Sequence, residues 1–123
     1  MSSLDGLRVL IVEDEALVSM LLEAMLEDLG CVVVGPAGRL AEAVVLMDEG
    51  MDGIDVALLD VNVAGEQVFP VAETLKAAGK PFAFSTGYGE AGVDDGWRGA
   101  MSLQKPYTFD DVRRVLETLA ATR

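Results

Sequence analysis

The stretch "DVALLDV", residues 55–61, decides how the rest of the chain is read. Four apolar residues stand between two aspartates, a run of strand length. Working outward, "RVLIV" (8–12), "CVVVG" (31–35), "PFAFS" (81–85) and "MSLQ" (101–104) supply four more strand candidates. Helical patterns lie between them. Val18, Leu21, Leu22, Met25 and Leu29 recur at helix spacing, and Gly30 supplies the stop. Leu40, Ala43, Val44 and Met47 repeat that pattern, with Gly50 after them. Residues 70–78 make a third segment, with Pro70 suited to the first helical position and Gly79 to the end. A last helix opens at "TFDD", where Thr108 can cap and Asp111 sits three residues on; Val112, Val115, Leu116 and Leu119 form its apolar stripe.

Strands alternating with helices predict an α/β fold: a doubly wound, five-stranded parallel sheet with helices on both faces and right-handed crossovers. Residues 87–99 break the pattern. Gly87, Gly89, Gly92 and Gly96 make a fourth helix there short or poorly ordered. No repeat, linker or second domain is read, so residues 1–123 are expected to form a single domain.

Composition narrows the function. The net charge is −12, which disfavours nucleic acid and anionic membrane and suits cations or a partner with basic contacts. The chain has no histidine, and so lacks the commonest general base and zinc ligand. Its one cysteine, Cys31, reads as core, and a reducing, cytoplasmic setting is expected. Neither a signal peptide nor an apolar run long enough to span a bilayer is read.

In a parallel α/β sheet, ligands bind at the carboxyl ends of the strands. After strand 1 come Glu13, Asp14 and Glu15; strand 3 runs out at Asp60; strand 4 ends at Ser85 and Thr86; strand 5 leads to Lys105 and Pro106. Three clustered acids need a cation, and oxygen ligands select a hard one, Mg²⁺ rather than zinc. Lys105 and Thr86 can contact phosphoryl oxygens, and Asp60 is then the natural nucleophile for an acyl phosphate. Each piece has a plainer use: acids suit a helix N-terminus, and Asp60 could be a turn residue. Their conjunction along one sheet edge carries the argument.

These residues resemble the receiver domain of two-component response regulators, over nearly the whole chain. The carried stretches are "VEDE" with Glu13 and Asp14, "LLDVN" with Asp60, "ST" with Thr86 and "QKP" with Lys105. The resemblance implies a flavodoxin-like strand order 2-1-3-4-5, Asp60 as phosphoacceptor, and a cis Lys105–Pro106 bond. It also implies Mg²⁺ on Asp14, Asp60 and the backbone carbonyl of Asn62, with Glu13 reaching the ion mainly through water. Receivers are phosphorylated by a sensor histidine kinase or a phosphotransfer protein and are not otherwise enzymes.

Two departures from the common receiver pattern stand out. A Met-Pro-Gly pattern after the phosphoacceptor is missing, and the aromatic switch position holds Ser102. With Phe84-Ser85-Thr86-Gly87-Tyr88, which fills a Phe-Ala-Thr-Gly-Tyr-like motif with one substitution, they resemble the FAT GUY subgroup. Tyr88, between Gly87 and Gly89, is the expected replacement switch. No output domain is read after the last helix, so signalling through protein contacts or service as a phosphate sink or shuttle is expected. A flavodoxin-like module for a phosphorylated cofactor is the main alternative, but Glu13, Asp14 and Glu15 stand where its phosphate loop would be. A Mg²⁺-dependent phosphohydrolase would want a second Asp near the nucleophile, where this chain has Asn62.

Overall fold

The computed structural model describes residues 4–87, 97 and 100–122. Five parallel strands form the sheet: β1 (Arg8–Val12), β2 (Val32–Ala37), β3 (Val56–Asp60), β4 (Phe82–Thr86) and β5 (Met101–Gln104). Their order across the sheet is 2-1-3-4-5, as expected. The helices are α1 (Ala16–Asp28), α2 (Leu40–Gly50), α3 (Phe69–Ala77) and α4 (Phe109–Thr122). The expected irregular helix of 87–99 falls almost wholly outside the described residues.

Strand periodicity sends alternate side chains to opposite faces. Val9, Ile11 and Leu58 join Leu22 and Leu26 of α1 and Val112, Leu116 and Leu119 of α4 in one core. Leu10, Val12, Leu59 and Phe84 join Ala43 and Met47 of α2 and Val71, Ala72 and Leu75 of α3 in the other. All five residues of β3 are buried, so the central strand has a covered face on each side. Phe84 meets Phe69, Phe82 and Trp97 at centroid distances of 5.7, 5.4 and 5.7 Å in edge-on geometry.

Two details correct the sequence reading. In α1 and α2, Leu21 and Val44 are 50% and 43% exposed, while Leu26, left out of the expected stripe, is fully buried. Both helices are apolar over more than the arc the sheet can cover, so periodicity alone misplaced the stripe's edge. Strand β2 does not end at Gly35 but continues to Ala37 through an irregular register against β1. Gly35 has φ +96°, and a Cβ there would lie 2.9 Å from the Ala37 backbone nitrogen, so only glycine lets the strand pass. The expected cap of the last helix is present: the Asp111 N–H donates to Thr108 Oγ1 at 3.0 Å.

Candidate functional site

The carboxyl edge of the sheet gathers the strand-end residues because parallel strands all finish on the same side. Glu13 follows β1, Asp60 ends β3, Thr86 ends β4, and Lys105 follows β5. Glu13, Asp14 and Asp60 each bring one carboxylate oxygen within 4.8 Å of the others. Lys105 Nζ lies 2.9 Å from Glu13 Oε1 and 3.3 Å from Asp60 Oδ2, with Glu15 Oε1 farther at 3.7 Å. A cleft of about 430 Å³ opens over these groups, lined among others by Asp14, Asp60, Asn62, Gly87 and Lys105. A smaller cavity of about 180 Å³ shares Asp60, Asn62 and Gly87 with it and is also lined by Thr86.

A small hairpin sets one wall. Asn62–Val63 pairs antiparallel with Glu66–Gln67 through the two-residue loop Ala64-Gly65. Both loop residues have positive φ, 51° and 85°, as a tight hairpin turn demands. A non-glycine residue with positive φ is uncommon, and here it has a use: the Ala64 N–H donates to Asp14 Oδ2 at 3.0 Å. The turn therefore aims the Asp14 carboxylate over the cleft. The other wall is β4, where the Lys105 N–H donates to the Thr86 carbonyl at 2.8 Å. The Lys105–Pro106 bond is cis.

The charges are under tension. Burial pushes Glu13 up to about 7, offset only in part by the Glu15 N–H and by Lys105. Burial also raises Asp60, against the pull of Lys105. Burial works against the Lys105 charge, but Glu13 and Asp60 outweigh it and hold the ammonium well above its usual range. Glu13 Oε1 is buried and, although Lys105 Nζ is close, has no aligned hydrogen-bond donor. A buried carboxylate oxygen with no aligned donor, beside two more carboxylates, fits a hard divalent cation or its bound water.

A pH dependence follows. Glu13 has an ordinary value of 4.5 and a folded value of about 7, so the folded protein holds its proton more tightly. The stability this confers is complete below about 4.5 and is lost as pH rises through about 7. Chelator-treated protein is expected to melt at lower temperature at pH 8 than at pH 5, with Mg²⁺ closing most of the gap. A melting temperature independent of pH over that range would show that Glu13 is not crowded.

Of the expected site residues, Asp14, Asp60, Asn62 and Lys105 line one cleft, Thr86 lines the smaller cavity beside it, and Glu13 lies against Lys105 and Asp60. Tyr88 lies outside the described residues. Sequence reasoning missed a buried pair: the hydroxyls of Ser85 and Tyr107 are hydrogen-bonded to each other. The signal was a serine in place of the motif's alanine and a tyrosine just after "KP".

The sheet order defines a doubly wound, flavodoxin-like α/β protein whose candidate site lies at the carboxyl ends of β1, β3, β4 and β5. No protein-family model matches the chain, and no curated protein sequence does. Solved structures do. The solution structure of SdrG from Sphingomonas melonis Fr1 is 45% identical, with 97% of this chain and 98% of that chain covered and a TM-score of 0.83. The BeF3-activated conformation of SdrG from Pseudomonas melonis Fr1 is 44% identical over 98% and 99% of the two chains, with a TM-score of 0.80. The signal receiver domain of a modulated diguanylate cyclase from Desulfovibrio desulfuricans G20 is 28% identical over 95% of each chain, with a TM-score of 0.78. This chain belongs to the response-regulator receiver family, the signal-accepting modules of two-component systems.

Proposed function

We propose that the protein takes a phosphoryl group from a phosphohistidine onto Asp60, in a Mg²⁺-dependent step. The observation that carries this reading is the geometry around Asp60: a largely buried carboxylate with Lys105 Nζ at 3.3 Å and two further acids within 4.8 Å. An Asp60 oxygen would attack phosphorus, the phosphorus–nitrogen bond of the donor would break, and the departing imidazole would keep the electron pair. Negative charge grows on the phosphoryl oxygens as this happens. Lys105 and the Thr86 hydroxyl are the donors at hand to meet it, and they come already ordered by the sheet.

Mg²⁺ would be held by Asp14, Asp60 and the Asn62 carbonyl, with Glu13 acting through bound water; the ion supplies charge neutralisation at the transferring group. These 123 residues contain no histidine, so the phosphohistidine donor lies outside them, on a sensor histidine kinase or a phosphotransfer protein. The "FSTGY" stretch favours a FAT GUY-type receiver, with output by protein contacts or service as a phosphate sink.

Intact mass after incubation with Mg²⁺ and acetyl phosphate tests the reading. One labile phosphoryl group is expected, lost on brief alkaline treatment. A chain that binds Mg²⁺ yet never gains mass would return the flavodoxin-like alternative to first place. Among the described residues no helix is long and apolar enough to cross a membrane.

The metal assignment has its own test. Asp14 is exposed and its carboxylate accepts from the Ala64 N–H of the hairpin, so its removal is expected to leave the fold standing. Asp14→Ala is expected to weaken Mg²⁺ binding by more than about tenfold, the loss of one of few direct ligands. It is also expected to raise the chelator-treated melting temperature, because one of three mutually repelling charges is gone. Calorimetric titration and paired melts read both. A fall in metal-free stability would mean that the Ala64 hydrogen bond outweighs the repulsion.

A further inference from the structure

We propose that Tyr107 is a positioning residue for Lys105, acting through the hydrogen bond between its hydroxyl and Ser85. The inference rests on the reading of Lys105 as the cation that meets the phosphoryl group. Tyr107 and Ser85 are 8% and 3% exposed, and their hydroxyls are each other's partners. A buried hydroxyl without a partner is costly, so each side chain makes the other necessary. Packing alone would not need them. The Tyr107 ring sits in the core with Ala83, Leu103 and Leu116, where a phenylalanine would pack equally well.

The place of the bond gives it its effect. Ser85 and Thr86 are consecutive on β4. The Thr86 carbonyl accepts the Lys105 N–H, and the Ser85 hydroxyl meets Tyr107, two residues further along. The two bonds bracket Lys105 and Pro106, pinning that segment to β4 at both ends. Ser85 also faces the nucleophile's strand: it is the register partner of Asp60, and its carbonyl accepts the Val61 N–H at 3.3 Å. One residue thus touches both the strand that carries Asp60 and the loop that aims Lys105. A lysine is a flexible point charge, and the direction of its backbone decides where its ammonium can reach. Here it must span Glu13 and Asp60.

The test uses Tyr107→Phe, Ser85→Ala and the double variant, with Mg²⁺ alone and with Mg²⁺ plus beryllofluoride as the phosphoryl mimic. Mg²⁺ affinity alone is expected to stay within about twofold, since no carboxylate is touched. Beryllofluoride affinity is expected to fall roughly tenfold in each single variant, the size of effect a sub-ångström misplacement of a charged group produces. Thermal stability should separate from this. Each single variant strands one buried hydroxyl and melts lower, whereas the double variant removes both and recovers.

A double variant that is stable again but still binds beryllofluoride poorly is the expected signature, and a purely structural role cannot produce it. In a Lys105→Ala background, Tyr107→Phe is expected to change beryllofluoride affinity no further. Normal affinity in the double variant, or an undiminished Tyr107→Phe effect without Lys105, overturns the inference and leaves the phosphoacceptor reading intact. Failure of the unaltered protein to bind beryllofluoride overturns that reading itself, and the positioning role with it.

Discussion

Asp60→Asn protein is expected to show no mass gain at all after incubation with Mg²⁺ and acetyl phosphate, under conditions that label the unaltered chain. The amide is nearly isosteric, so the register of β3 with β4, which pairs residue 60 with Ser85, is kept. What is lost is the nucleophilic oxygen. An amide oxygen carries no charge to attack phosphorus, and no neighbouring acid can substitute. Glu13 is buried and ion-paired with Lys105, and Asp14 Oδ2 is held by the Ala64 N–H of the hairpin. The same change removes a carboxylate that burial has already pushed up. Metal-free Asp60→Asn should therefore be at least as stable as the unaltered protein and gain little from Mg²⁺. Labelling at the unaltered rate would move the acceptor to another acid and undo the proposed chemistry.

Lys105→Ala carries the second large effect, in two measurements at once. Its ammonium is the cation within 4 Å of Glu13 and Asp60 among the described residues. Removing it leaves two buried carboxylates facing each other. Partnerless buried charge is costly, but Glu13 can take up a proton and limit the damage. A loss of about 1–3 kcal/mol in chelator is expected near neutral pH, smaller in acid and smaller again with Mg²⁺. Acetyl phosphate labelling should slow by roughly a hundredfold without vanishing, as when one preorganised donor to a developing oxyanion is deleted. The residual phosphorylated variant should bind its signalling partner no better than the unphosphorylated chain. Denaturant titrations and time-resolved mass measurements give both numbers. Equal labelling rates with and without the lysine would reduce Lys105 to a structural counter-ion.

The site was legible in the sequence to the extent that it depends on where strands end. Apolar runs are bounded by charge or hydroxyl, and parallel strands share one carboxyl edge, so Glu13, Asp14, Asp60, Thr86 and Lys105 could be placed together before any coordinate was known. The five-strand order was legible through alternation and the receiver resemblance. Helix faces were legible only in part. Leu21 reads the same as Leu26 in a thoroughly apolar α1, and which of them the sheet covers depends on how the helix is rolled against β1 and β2.

By itself, then, the sequence determined the class of fold, the identity of the charged edge and the absence of histidine from these 123 residues. Tertiary structure alone decided the contacts that span long stretches of chain. The Ala64 N–H reaches Asp14 across 50 residues, Ser85 meets Tyr107 across 22, and Lys105 reaches Asp60 across 45. None of these has a local pattern, because a hydrogen bond needs direction and distance, and residue order supplies neither. The crowding that pushes Glu13 to about 7 is of the same kind. A carboxylate's proton affinity is set by what is packed around it, and that exists only once β1, β3 and β5 have been brought to one edge.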